Sequence, residues 1–139
     1  MSARVFVDAN VLVYAHDADA GAKRDVASEV LAELWAGRCG VLSTQVLEEF
    51  YSAVTRKISR RLRHGDALAA LLAYAAWDVQ VISVAMVLEA VRLAERHRLA
   101  FWDGLIVAAA IEAGAETILT EDFQDGALIG GARIRNPFR

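Results

Sequence analysis

Acidic side chains at the ends of apolar runs are the residues of this sequence that could do chemistry. Asp8 follows Val5-Phe6-Val7, and Asp122 stands three residues beyond Thr117-Ile118-Leu119, in Thr120-Glu121-Asp122. Asp103 opens a stretch, Leu105 to Ile111, that is apolar almost throughout, and Glu48-Glu49 lies one turn into a helical pattern after Val41-Leu42. Carboxylates brought together repel each other unless protons or cations neutralise them, and a hard divalent cation with oxygen ligands is the economical solution. Mg²⁺ keeps several waters and takes only one or two carboxylates directly, so the other acids would act through water or hold a second ion. His16, His64 and His97 have no zinc-like spacing, and Cys39 has no second soft ligand beside it.

Each acid also has a plain structural explanation. Asp8-Ala9-Asn10 would cap a following turn, Asp103 would cap the apolar helix, Asp122 would serve a turn, and Glu48-Glu49 would be a solvated helix face. Periodicity does not separate Glu48 from Glu49: at 100° per residue they flank the Leu47/Phe50/Tyr51/Val54 stripe on opposite edges.

The elements that would position these acids alternate. Val5–Val7, Val41-Leu42, Val79–Ile82 and Thr117–Leu119 read as short buried strands, with Ala132 to Arg135 as an edge strand. Between them run helical stripes: Ala27, Val30, Leu31 and Leu34; Leu47, Phe50, Tyr51, Val54 and Ile58; Leu68, Leu71, Leu72 and Ala75; Val84, Val87, Leu88 and Val91. Strands alternating with helices imply right-handed crossovers and a parallel sheet covered on both faces, a three-layer α/β/α domain. Ligands of such sheets bind beyond the carboxyl ends of the strands, where Asp8 and Asp122 fall.

Composition sets the bounds. The 139 residues suit one domain spanning 1–139, and 56% hydrophobic content excludes disorder and leaves apolar surface to hide against another subunit. A single cysteine permits no intrachain disulfide. The short polar lead Met1-Ser2-Ala3-Arg4 is not a signal peptide, and the longest apolar run, Ala67 to Trp77, is too short to span a bilayer, so a cytoplasmic protein is expected. Net charge is −3, yet Arg56, Lys57, Arg60, Arg61 and Arg63 place five of the fifteen basic residues in eight positions. That cluster would meet phosphates or an acidic partner segment, or be an exposed helix end. Asp17-Ala18-Asp19 lacks the later ligands of a calcium loop. Trp35, Trp77 and Trp102 read as core or interface aromatics. Receiver domains are disfavoured because the second and third strands end in Ser43 and Ser83. Nucleotide-binding Rossmann and P-loop domains are disfavoured because their glycine motifs are absent.

Four segments in order carry a resemblance. They are Val5-Phe6-Val7-Asp8-Ala9-Asn10-Val11-Leu12-Val13-Tyr14-Ala15, then Ser43-Thr44-Gln45-Val46-Leu47-Glu48-Glu49-Phe50-Tyr51. Phe101-Trp102-Asp103-Gly104-Leu105-Ile106-Val107-Ala108-Ala109-Ala110 and Leu119-Thr120-Glu121-Asp122-Phe123 complete the set. Through them the chain resembles the PIN-domain ribonucleases, and within these the VapC-type toxins of bacterial toxin–antitoxin pairs. The resemblance implies a metal-binding role for Asp8, Asp103 and Asp122, and selects Glu49 over Glu48 as the fourth acid. Asn10 and Thr120 become supporting residues, while Glu121, Asp125 and Asp17 are candidates for an outer shell. It implies Mg²⁺ or Mn²⁺, an RNA substrate hydrolysed by water to a 5′-phosphate and a 3′-hydroxyl, a cognate antitoxin and a homodimer. The competing expectation is a catalytically idle PIN-like module that binds RNA or protein. One departure stands out: Gly104 follows Asp103 where alanine is frequent.

Overall fold

The computed structural model describes residues 3–139; Met1 and Ser2, the first half of the polar lead, lie outside the described residues. Among those described, the elements run β1 (Val5–Val7), α1 (Ala9–His16), α2 (Ala22–Gly37), β2 (Gly40–Ser43), α3 (Thr44–Arg56) and α4 (His64–Ala75). They continue with β3 (Asp78–Gln80), α5 (Val84–His97), α6 (Phe101–Glu112), β4 (Thr117–Leu119), β5 (Leu128–Ile129) and β6 (Ala132–Arg135). The strands form one sheet in the order β3-β2-β1-β4-β6-β5, parallel except for β5, within a three-layer α/β/α arrangement.

The chain lays down β1, β2 and β3 in one direction, then returns to place β4 on the other side of β1. The strand order therefore reverses between β1 and β4, which leaves a crevice at their carboxyl ends. Val7 pairs with Leu119 in the register of these two strands, so Asp8 and Thr120 leave the sheet side by side.

The core is built from the strands and one face of each helix. Phe6, Val41, Leu42 and Ile118 are fully enclosed in the sheet, and Val46, Phe50 and Val54 at four-residue spacing bury one face of α3. Each such side chain contributes roughly 1.5–3 kcal/mol through burial. Every residue from Gly104 to Ala110 in α6 is buried, as its all-round apolar character predicts. Ser43 and Ser83 cap α3 and α5 by accepting the Val46 and Met86 backbone N–H groups.

Five local expectations change. The turn expected after Asp8 is the full helix α1, with Val11 and Leu12 buried. Ala132–Arg135 is not the edge: β5 covers it, turned by Gly130 and Gly131, whose φ angles of 58° and 86° suit a two-residue hairpin loop. Strand β3 ends at Gln80 and leaves Val81 exposed, and Ile58 lies beyond α3 although it stays buried. The stripes on α4 and α5 face outward: Leu68, Leu72, Val84, Val87, Leu88 and Val91 are exposed, while Ala67 and Tyr74, and Met86, Ala90 and Leu93, turn inward. Both helices are apolar on two faces, and on α5 the face bearing Ala90 and Ala94 is the one that packs closely.

That packing is tightest between α5 and α6. A Cβ added at Gly104 would stand 2.5 Å from the Ala90 carbonyl oxygen, which explains the glycine where alanine is common in the resembling sequences. Gly104→Ala must push the two helices apart, at a cost of about 1–3 kcal/mol. Urea denaturation should show the midpoint falling accordingly; a midpoint at or above that of the parent protein would refute the close approach.

Candidate active site

The site begins with the backbone. Asp8 ends β1 in an extended conformation and caps α1, its Oδ1 accepting the Ala9 N–H at 2.7 Å. Its own N–H donates to the Leu119 carbonyl at 3.0 Å, locking the end of β1 to β4. The other carboxylate oxygen accepts the Thr120 hydroxyl at 2.8 Å. Thr120 is fully buried and accepts in turn from the Asp122 N–H at 3.1 Å and from Asn10 Nδ2 at 3.2 Å. Asn10 completes the loop: Nδ2 also donates to Asp122 Oδ2 at 3.1 Å, and Oδ1 accepts the Glu121 N–H at 3.4 Å. The capping role and the shared-site role of Asp8 thus coexist in one carboxylate.

The two helices supply the remaining acids. Asp103 lies in the first turn of α6, with Ala100 rather than Asp103 at the cap position. It shares a cavity of about 350 Å³ with Asp122, Phe123, His97 and Leu128. Glu49 on α3 is close enough to act electrostatically on Asp8, and feels both Asp103 and Asp122. Glu48 has no such coupling to Asp8; it lines the adjoining cavities on α3. The structure therefore brings together Asp8, Glu49, Asp103, Asp122, Asn10 and Thr120.

The outer-shell candidates are engaged elsewhere. Glu121 accepts a hydrogen bond from the Tyr14 hydroxyl and pairs with Lys23 at 3.0 Å. Asp125 Oδ1 accepts the Asn136 N–H at 2.8 Å, and Asp17 Oδ1 accepts the Asp19 N–H at 3.0 Å. A residue without an assigned role beforehand, Gln45, donates from Nε2 to the Trp102 carbonyl at 3.1 Å and so ties α3 to α6. Its signal in the sequence is only a polar residue four positions before Glu49. Trp102 is 63% exposed, not a core aromatic. All five residues of the basic cluster are exposed; Arg60 pairs with Asp19 at 3.5 Å, and the Lys57 charge reaches Glu49. A separate cavity of about 330 Å³, lined by Trp35, Arg38, Gly40, Trp77 and Asp78, lies at the opposite ends of the strands, away from these acids.

Among the described residues none of the four acids has an ion-pair partner. Asp8 is 5% exposed, and burial pushes its carboxyl up to about 7, against the lowering effect of the Thr120 and Ala9 hydrogen bonds and with help from the Asp122 and Glu49 charges. Glu49 keeps contact with solvent, yet partial desolvation and the Asp103 charge raise it as well; Lys57 opposes the shift. Asp103 is raised by desolvation and by Asp122.

Among the described residues no three His, Cys, Asp or Glu side chains stand close enough to hold an ion as they are. Carboxylates that repel one another separate, and a cation keeping most of its waters needs only one or two of them in direct contact. An all-oxygen donor set, acidic and without cationic partners, fits a hard divalent ion.

Because the Asp8 carboxyl lies above its ordinary value of 3.8, the folded state binds its proton more tightly than the unfolded state does. Stability from this group is complete below pH about 4 and is lost as pH rises through about 7, by up to on the order of 4 kcal/mol. In chelator, Asp8→Asn should melt higher than the parent protein at pH 8, with the gap closing at pH 4; thermal melts showing no such convergence would refute the buried, uncompensated charge.

The family model described as the PIN domain matches residues 5–124. No curated protein matches the chain. Among solved structures, a toxin–antitoxin complex from Klebsiella pneumoniae is similar at TM-score 0.72 and 21% identity, covering 96% of this chain and 97% of that one. VapBC2 from Rickettsia felis, bound to a DNA fragment from its promoter, gives 0.66 and 20% over 95% and 97%. Mycobacterium tuberculosis VapC20, a sarcin–ricin loop cleaving toxin, gives 0.64 and 20% over 82% and 86%. With the family model spanning most of its length and the fold shared with these structures, the chain belongs to the PIN-domain family.

Proposed function

We propose that this protein is a divalent-metal-dependent endoribonuclease and the toxin of a toxin–antitoxin pair. The observation that carries the reading is the convergence of four acids without ion-pair partners, Asp8, Glu49, Asp103 and Asp122, on the crevice where the strand order of a PIN domain reverses. Asp8, Asp103 and Asp122 would hold Mg²⁺ or Mn²⁺ with Glu49 beside them, and the ion when bound would supply Lewis-acid activation of the phosphodiester and of water.

The chain's own residues supply the rest. Thr120 and the Ala9 N–H fix both oxygens of Asp8, so its carboxylate cannot rotate away from the crevice. Asn10 holds one carboxylate oxygen of Asp122, Oδ2. Glu49, raised in basicity by partial desolvation and by the Asp103 and Asp122 charges, orients the attacking water and takes up its proton. Water as the nucleophile leaves a 5′-phosphate and a 3′-hydroxyl. The basic segment beginning at Arg56 and Lys57 receives RNA phosphates, since the Lys57 charge reaches Glu49 at the edge of the acidic site.

The partners follow from the solved relatives, which include toxin–antitoxin complexes. We assign an antitoxin protein to this chain on that basis, and a second copy of the chain to the outward stripe of α5. There Val84, Leu88 and Val91 are 76%, 52% and 54% exposed, a contiguous apolar strip of the kind that marks an interface. Among the described residues no helix is long and apolar enough to cross a membrane, and we place the protein in the cytoplasm.

Purified protein should cut RNA in Mg²⁺ or Mn²⁺ and stop in chelator, with cut fragments carrying 5′-phosphates. Asp8→Asn should lower the cleavage rate at least 100-fold while circular dichroism stays unchanged; full activity in that variant would refute the assignment. Parent protein that binds RNA tightly without cutting it would favour an idle binding module. Light scattering should give twice the chain mass for the parent and a single-chain mass for Leu88→Glu; equal masses would remove α5 as the dimer face.

A further inference from the structure

We propose that the cavity between α3 and the first turn of α6 receives a guanine base of the RNA next to the scissile phosphate, stacked on Trp102 and read by Glu48. The proposal rests on the ribonuclease reading above and deepens it by naming what the enzyme recognises. The cavity, about 320 Å³, is lined by Gln45, Glu48, Glu49 and Trp102. It shares Glu49 with the acidic site and adjoins Asp103 through Trp102, so a base held here belongs to a nucleotide beside the cut.

Three features of the cavity point to a base. Trp102 is held edge-on against Phe101, with ring centroids 5.0 Å apart, and yet leaves 63% of its surface open. Unpaired bases of RNA stack on such exposed aromatic rings. Gln45 is 5% exposed, its Nε2 donates to the Trp102 carbonyl, its amide also acts on the Glu49 carboxylate, and its buried Oε1 has no hydrogen-bond partner. Oε1 is closed off as it stands, so a ligand donor reaches it only when the amide turns toward the cavity, and an unmatched buried acceptor favours that turn. Glu48 is exposed on the same wall, and among the described residues it has neither a hydrogen bond nor an ion pair.

The lining selects among the bases. Its side-chain oxygens, two carboxylates and one amide, are acceptors, and no Lys or Arg lines it. Guanine alone presents two adjacent donors, N1–H and N2–H, on its Watson–Crick edge, matching the two oxygens of one carboxylate. Adenine and cytosine would set a ring-nitrogen acceptor against the carboxylate beside their amino group, and the single N–H of uracil lies between two carbonyls. Glu49 is committed to the attacking water, so the reading falls to Glu48, and Gln45 Oε1 takes the remaining amino hydrogen once its amide turns toward the cavity.

Two measurements test this together. Cleavage of randomised-sequence RNA by the parent protein should show guanine enriched at one fixed position beside the cut, and Glu48→Gln should reduce that preference at least tenfold. Trp102→Ala should raise KM about tenfold with Trp102→Phe close to the parent. Equal cutting at all four bases, or a preference unchanged in Glu48→Gln, would overturn the proposal. Binding of short single-stranded RNAs to the non-cleaving Asp8→Asn variant, each carrying one guanosine, inosine or adenosine, gives a second readout independent of catalysis. Guanosine should bind several-fold more tightly than inosine, which lacks the N2 amino group, and equal affinities would overturn the pocket. If the parent cuts no RNA, the ribonuclease reading falls while the guanosine-to-inosine ratio still decides the pocket.

Discussion

A carboxylate buried between two parallel strands is the constraint on which the rest of this structure depends. Asp8 is enclosed at the carboxyl end of β1, where a charge is unfavourable, and it is met by two hydrogen bonds and no cation. Either a proton or a metal ion must make up the difference. The surrounding residues are arranged to keep the carboxylate in place without neutralising it. Thr120 faces Asp8 because Val7 and Leu119 are in register, and the Thr120 N–H donates in turn to the Arg135 carbonyl of β6. Three neighbouring strands therefore meet at one residue, Thr120, through its hydroxyl on one side and its backbone N–H on the other. A one-residue slip of β4 against β1 would remove Thr120 and turn its neighbours to the other face.

Holding further acids near Asp8 requires elements that do not depend on the acids for their own stability. Helix α6 is anchored by burial along its length, and α3 by Val46, Phe50 and Val54. Gly104 draws α6 against α5 immediately beside Asp103, so the first turn of α6 is positioned by backbone contact one residue from the acid. Gln45 then joins that turn to α3 four residues before Glu49. Apolar packing stabilises the scaffold, and the like-charge repulsion it overcomes is confined to the crevice.

Much of this was legible in the sequence for a physical reason. Short apolar runs bounded by polar residues marked β1, β2 and β4, and acids following such runs fall at the ligand-binding edge of a parallel sheet whatever their exact number. Helix α1 was not legible because its start, Asp8-Ala9-Asn10, reads equally well as a turn. Strand β5 was missed because two residues carry no period. The stripes on α4 and α5 gave the right helices but the wrong inward faces: periodicity reports that a face is apolar, and cannot say which of two apolar faces finds a neighbour. The choice between Glu48 and Glu49 was likewise beyond periodicity. It came from resemblance, and the coupling of Glu49 to Asp8, Asp103 and Asp122 agrees with that choice without testing its chemical role. Gln45 left almost no trace, because a buried amide bridging two helices depends on a tertiary contact that local pattern does not encode.

The distribution of charge raises a problem that the crevice alone does not solve. Four acids repel the phosphate of an RNA as effectively as they attract a cation, and the chain as a whole is negative. Attraction has to come from a place near the crevice but distinct from it. The segment 56–63 meets that condition: it leaves the end of α3, the helix carrying Glu49, with its five basic side chains exposed and Lys57 within electrostatic reach of Glu49. At physiological ionic strength exposed charges act over about 8 Å, so on the proposed reading this segment would pull on a phosphate only once RNA is already alongside α3. On the proposed reading a bound cation would offset the acids in the crevice, and the basic segment would stay available for the flanking RNA backbone. Such a division would make substrate affinity sensitive to salt and cleavage sensitive to metal, two dependences arising from different residues that meet at α3.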